Sequence, residues 1–246
     1  MTPWVVPTLL IISWQIASYY GLINSRILPS PWNVLKALFR LGQSGELWEN
    51  LVISCRRAFL GFAIGGSLGL TLGLATASWR FLETLLDTTL QMIRTIPNLA
   101  LLPLVIIWFG IGEKAKIFLI VCGVTFPIYL NTFHNVRSVD PNLISMARVY
   151  GLDRLALWRH VILPGALPSI LVGVRFSLGV MWMTLIVAET IAASSGLGYM
   201  ATNAREMMQT DVIVLSILLY ALLGKLADVV ARALEGRFLT WRPNQP

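Results

Sequence analysis

The sequence predicts an all-α membrane protein, and three observations carry that prediction. Of 246 residues, 56% are hydrophobic and 13% charged, where an ordinary soluble domain carries about 25% charged residues. Mean hydropathy is +0.72. Apolar runs near the roughly 20 residues needed to cross a bilayer recur along the whole chain. A surface this apolar cannot be covered against water. The net charge of +7 is spread through short polar segments. That pattern suits anionic lipid headgroups and membrane topology, and it argues against nucleic acid. Cys55 and Cys122 form no disulfide framework, and His134 and His160 stand apart, so no metal site is expected.

Six spans follow in order. Residues 1–25 carry no charge, and Trp4–Leu22 is long enough to cross. It lacks a basic leader and exceeds a signal core, so it is expected to be a retained transmembrane helix. Residues 26–57 open with Pro29-Ser30-Pro31. Val34, Leu35, Leu38 and Leu41 then recur at helical spacing, with Lys36 and Arg40 off that stripe. This predicts an interfacial amphipathic segment, with Trp32 and Trp48 suited to the headgroup zone. Ala58–Trp79 is the second span. Its Gly65-xxx-Gly69-xxx-Gly73 repeat predicts close packing inside a bundle.

The third span is interrupted by Pro97 and Pro103, each expected to kink it. Gln91, Arg94, Thr95 and Asn98 surround the first break. Freed backbone groups at such a break are tolerated where protein or a water-filled cavity meets them. Ile117–Phe133 is the fourth span, Ser169–Ala193 the fifth and Asp211–Val230 the sixth. Lys225 and Asp228, three residues apart on the last, can pair on one face.

Charge does not orient the bundle. With the amino terminus taken as cytoplasmic, eight Lys and Arg residues fall on each side, so the positive-inside rule is silent.

The segment between the fourth and fifth spans is the most informative. Asp140 before Pro141 has the form of an N-cap followed by a first-turn proline. A short helix then runs to Tyr150, and Gly151 suits the left-handed position that ends a helix. Asp153 can cap a second short helix over about Arg154–Leu163, with Pro164 expected to stop it. Leu152, Leu155, Val161 and Ile162 could rest on the bundle, leaving Arg148, Arg154 and Arg159 toward water. A rigid elbow of this length suits a docking surface for a soluble partner.

The spacing of this segment resembles the EAA loop of bacterial ABC importer permeases. That motif reads Glu-Ala-Ala, three residues, Gly, nine residues, Ile, any residue, Leu-Pro. Ser145, Met146 and Ala147 take the first three places, Gly151 the glycine, Val161 the isoleucine, and Leu163-Pro164 the end. The motif's Glu and first Ala are replaced. Blocks such as "RTIPNLALLPLVIIWFGIGEKAKIFL" and "ETIAASSGLGYM" extend the resemblance over nearly the whole chain. They are similar to the sulfonate/taurine/nitrate branch, with the aliphatic sulfonate permeases nearest.

The resemblance implies a five-helix permease core at 58–235, preceded by one N-terminal helix and followed by a cytoplasmic tail at 236–246. It implies a homodimer in the bacterial inner membrane with both termini cytoplasmic. Two ATPase subunits would dock at a coupling loop, 141–164, and a periplasmic binding protein would deliver substrate. The chain contains no Gly-x-x-x-x-Gly-Lys-Ser/Thr loop. ATP and Mg are therefore expected on the partner, with no cofactor on this chain and no enzymatic activity of its own.

Candidate ATPase-coupling residues are Ser145, Met146, Ala147, Arg148, Gly151, Leu152, Asp153, Arg154 and Pro164. Ala147 and Gly151 are expected to permit close approach. A permanent anion needs donors, water or positive potential on its way through. Arg94, Thr95, Pro97 and Asn98 are the first pathway candidates; Arg94 could equally pair with an acid or snorkel. Ser177, Met181, Trp182 and Thr184 are the second set, with Met181 and Trp182 equally suited to packing. Arg175 and Glu189 lie about 21 Å apart on one helix, near its ends, where interface anchoring is expected. Glu189, Ser194, Ser195 and Gly196 are candidates for an outer gate or a binding-protein contact; a plain helix stop is the other reading. No inverted repeat suggests a secondary transporter, and no reactive cluster suggests a membrane enzyme. A permease of the same family for another small anion, such as taurine, nitrate or bicarbonate, is the alternative substrate reading, and a channel or structural subunit is the competing class.

Overall fold

The computed structural model describes residues 5–25 and 27–239 and contains no strand among them. The expected Trp4 and most of the 236–246 tail lie outside the described residues. Among the described residues, eleven α-helices follow one another: α1 (Val5–Tyr19), α2 (Pro31–Ser44), α3 (Glu46–Ser78), α4 (Arg80–Arg94), α5 (Leu102–Phe109), α6 (Glu113–Arg137), α7 (Pro141–Val149), α8 (Arg154–Leu157), α9 (Leu163–Ala192), α10 (Leu197–Glu206) and α11 (Thr210–Phe238). Among the described residues, four helical stretches are long and apolar enough to cross a membrane: α3, α6, the continuous run Arg154–Ile191, and α11. A bent pair, Thr88–Arg94 and Asn98–Phe109, supplies the fifth candidate. The first expected span is α1, whose 15 residues fall short of the usual length.

One compact unit comprises residues 1–56 and 186–223. Here α2 forms as its sequence asks. The Ser30 hydroxyl accepts the Asn33 N–H at 3.2 Å, Pro31 enters the first turn, and Val34, Ala37 and Leu41 are buried. Trp32 and Trp48 are exposed. The helix ends at Gly45, and α3 begins on the next residue.

The boundary expected at residue 57 therefore falls inside a continuous helix of 33 residues, roughly 50 Å long. Arg57, the last residue of the expected interfacial segment, is 1% exposed, with Nε 2.8 Å from Glu113 Oε2. Lys116 is buried beside them, its Nζ 3.3 Å from Glu113 Oε1. A paired cation does not have to end an apolar helix.

The second unit comprises residues 57–185 and 224–246. Its centre is the contact of α3 with α6. A Cβ on Gly65 would lie 2.7 Å from the Val121 carbonyl oxygen, and one on Gly69 2.5 Å from that of Thr125. Only hydrogen fits, so the glycine stripe sets how closely the two backbones approach. The third span bends by 85° at Thr95–Pro97. Pro103 does not kink it. It occupies the first turn of α5, where its missing N–H has no intrahelical acceptor to lose.

Candidate functional site

The elbow between α6 and α9 is built by the caps read from sequence. The Asp140 carboxylate accepts the Asn142 N–H at 2.8 Å, and that of Asp153 accepts the Ala156 N–H at 2.8 Å. Gly151 adopts φ +80°, a left-handed conformation that L side chains rarely tolerate. Its N–H reaches the Arg148 carbonyl and the Leu152 N–H that of Ala147, closing the end of α7.

Pro164 does not stop the second helix. A π-helical turn, Trp158–Ile162, joins α8 to α9 without a break, and the Leu163 N–H bonds the Trp158 carbonyl five residues back. The widened turn reassigns the local hydrogen bonds next to a residue that lacks an N–H. Pro168 likewise lies inside α9.

The elbow has two faces. Ala147, Leu157 and Ile162 join Val136, Val139 and Ala166 in a buried cluster. Ala147, expected to let a partner approach, is thus packed inside the chain. Leu155, expected to rest on the bundle, is 76% exposed. Met146, Val149 and Tyr150 are also exposed, and Ser145, Arg148, Asp153 and Arg154 share that exposure. Leu152 and Pro164 are half-buried. The outer face is therefore a mixed apolar and basic patch on a rigid support, a composition that suits recognition.

The helix break forms a polar node. Asn98 Nδ2 donates to the Leu119 carbonyl at 3.0 Å and to Thr184 Oγ1 at 3.3 Å. Asn98 Oδ1 is buried without a hydrogen-bond partner among the described residues. A Cβ on Gly123 would lie 2.8 Å from Asn98 Nδ2 and 3.0 Å from Thr184 Oγ1, so α6 leaves room for this contact. Two candidates from different sets thus meet. Arg94, Thr95 and Pro97 are exposed beside them. Ser177, Met181, Trp182 and Thr184 are all buried. Ser177 Oγ donates to the Gly173 carbonyl within its own helix.

The outer-gate candidates Glu189, Ser194, Ser195 and Gly196 fall at the end of α9. Glu189 is 1% exposed and is not an interface anchor. Ser54 Oγ lies 2.8 Å from both carboxylate oxygens, and Tyr220 and the Gly198 N–H donate to Oε2 at 2.8 and 3.0 Å. Ser54 Oγ accepts the Leu197 N–H, and Asn50 Oδ1 accepts the Gly196 N–H. Glu189 therefore organises the turn into α10, while Ser194 is exposed and Ser195 half-buried. Its partners Ser54 and Tyr220, and Asn50, which accepts the Gly196 N–H of the same turn, were missed by sequence reading. An acid in an apolar run announces that it needs donors, but not which ones. Arg175, the other expected anchor, pairs with Asp228, its Nε 2.6 Å from Oδ1.

Residues 67–240 match the family described as binding-protein-dependent transport system inner membrane component. The chain is 60% identical over 243 residues to the putative aliphatic sulfonates transport permease protein SsuC of Escherichia coli (strain K12), covering 99% of this chain and 92% of that protein. It is 44% identical to the Bacillus subtilis (strain 168) protein of the same name over 96% of this chain and 86% of that one. It is 38% identical to the taurine transport system permease protein TauC of Escherichia coli (strain K12), covering 95% and 86% respectively. A solved amino acid ABC transporter shares the fold at a TM-score of 0.68 and 18% identity, over 81% of this chain and 97% of that one. With apolar helices along its length and end-to-end likeness to these permeases, the chain belongs to the family of binding-protein-dependent transport system inner membrane components.

Proposed function

We propose that this chain is the membrane-spanning subunit of an ATP-driven importer for aliphatic sulfonates. The observation that carries the coupling is the elbow, whose buried underside and exposed Met146, Val149, Tyr150, Arg148 and Arg154 make a stiff docking face. A separate ATPase seats there on the cytoplasmic side and supplies ATP and Mg. Closure of its nucleotide sites pushes the elbow, and the unbroken helix from Arg154 carries that push into the membrane. Two copies of this chain enclose the path, and a periplasmic binding protein delivers the substrate. Both termini face the cytoplasm of a bacterial inner membrane.

The substrate class rests on the 60% identity to a protein named for aliphatic sulfonates. The first part of the path is the break at Arg94–Asn98, where exposed Arg94 offers positive charge. The Asn98–Thr184 contact holds the break against α9. Ser177, Met181 and Trp182 support α9 by packing. A second reading, taurine as substrate, is favoured by the 38% identity to a taurine permease.

The test is growth of cells lacking this chain, with and without it restored, on single sulfur sources. Restored growth on ethane- to hexanesulfonate, without restored growth on taurine, is expected. The reverse pattern would exchange the two readings, and growth without the ATPase subunit would remove both.

A further inference from the structure

The two faces of α9 differ sharply. Ser177, Met181 and Thr184 point into the chain, whereas Val172, Phe176 and Met183 are 59%, 64% and 72% exposed. Arg175, Gly179 and Val180 lie on that same open face. Together with Gly224 and Asp228 of α11 it walls a cavity of about 510 Å³, within the usual range for small-molecule sites.

Arg175 and Asp228 are the charged residues of the lining, and Lys225 and Arg232 reach Asp228 from outside it. Asp228 receives Arg175 Nε at 2.6 Å, Lys225 Nζ at 3.6 Å, and the Arg232 guanidinium. Three cations meet one carboxylate, and among the described residues none of the three pairs with a second acid. One acid neutralises one of these cations, so the cluster carries about two uncompensated positive charges at neutral pH. The rest of the lining is apolar. A positive end beside an apolar wall recognises a single-chain amphiphilic anion: the head gains charge-assisted hydrogen bonds, and the tail leaves water.

We propose that this cavity is a binding site for alkanesulfonate. The sulfonate sits on Arg175, in the positive potential of Lys225 and Arg232 nearby, and the alkyl chain lies along Phe176, Val180 and Met183. This rests on the substrate reading above and adds a place for the substrate that the helix break does not provide. Asp228 competes with the sulfonate for the same cations. The competition keeps retention weak, as onward release requires.

Hexanesulfonate is the probe, measured by equilibrium binding to the purified permease–ATPase complex in phosphatidylcholine nanodiscs without binding protein. Arg175→Gln should weaken binding about tenfold, one charge-assisted contact. Asp228→Asn should tighten it several-fold. Gly179→Leu should abolish it while folding normally, because a Cβ there meets nothing within 4 Å. Ethanesulfonate, with a short tail, should bind more weakly than hexanesulfonate, and hexylammonium, with the opposite charge, should bind poorly.

Equal binding by the wild type and all three variants would overturn the site. So would loss of hexanesulfonate binding when phosphatidylglycerol replaces part of the phosphatidylcholine, which would assign the cavity to lipid. Loss of the assembled complex in Gly179→Leu would assign this face to a subunit contact and also overturn it. Uptake by cells is measured in parallel. Hexanesulfonate uptake with binding unaltered in the variants would retain the transport reading and remove the site. Charge-dependent binding without uptake would retain the site and remove the transport reading.

Discussion

The Tyr220 phenol donates to the Glu189 carboxylate at 2.8 Å, tying α11 to the end of α9. The same carboxylate receives the Gly198 N–H, and a Cβ on Gly198 would lie 2.5 Å from Glu189 Cβ. A buried acid thus holds the turn at residues 193–196 in place through donors from α3, α10 and α11. Hydrogen bonds to a charged group contribute about 1.5–3 kcal/mol each.

Tyr220→Phe removes one donor and leaves the ring. The expected loss is about 1.5–3 kcal/mol, or a midpoint lower by roughly 3–12 °C at this chain length. Glu189→Leu should cost more, because the Ser54 hydroxyl and the Gly198 N–H both lose their acceptor. Thermal melts of the purified complex check both. A Tyr220→Phe protein melting with the wild type would mean that the contact contributes nothing.

The elbow separates docking from folding. Val149 and Tyr150 are 87% and 78% exposed, so Val149→Asp and Tyr150→Asp should change stability by no more than about 0.5 kcal/mol. Both should release the ATPase during purification and abolish uptake. Ala147→Asp places a charge in the buried cluster and should instead reduce the yield of folded protein. Quantifying ATPase retained per folded permease distinguishes the two outcomes. Retention in Tyr150→Asp equal to wild type would move the docking face elsewhere.

Gly69 tests the helix spacing. A Cβ there would sit 2.5 Å from the Thr125 carbonyl oxygen and 3.0 Å from Ile128 Cβ. Backbone cannot rotate away as a side chain can, so Gly69→Leu must push α3 off α6. Overpacking of this kind costs about 1–3 kcal/mol or more. Folded yield by size exclusion should fall severely, whereas Gly42→Leu, in open space on α2, should be tolerated.

How much of this could be read from the residues depends on how local the cause is. The Asp140 and Asp153 caps and the Gly151 turn arise within a few residues of chain, and they form as spacing suggested. The glycine stripe on α3 named a packed face without naming α6. Pro164 misled because the adjustment that carries a helix through it, the π turn, depends on how the chain enters from Trp158. Arg57 misled because its neutralising partner, Glu113, lies 56 residues away. The buried and open faces of α9 were indistinguishable, since Ser177 and Arg175 both sit among apolar neighbours.

The last turn of α10 offers a change in the stabilising direction. Met208 has φ +58°, the sole non-glycine with positive φ among the described residues. It stands where a helix ends, with the Met208 N–H on the Arg205 carbonyl and the Gln209 N–H on that of Ala204. That is a left-handed C-terminal cap, a position glycine fills with no Cβ penalty. For an L residue the conformation costs about 1–2 kcal/mol, and glycine's greater freedom in the unfolded chain returns part of it. Met208 is 86% exposed, so its side chain forfeits little packing. Met208→Gly should therefore raise the thermal midpoint by a few degrees. Met208→Val, β-branched in the same conformation, should lower it. If both substitutions lowered the midpoint alike, the exposed methionine would be supplying a contact rather than bearing strain.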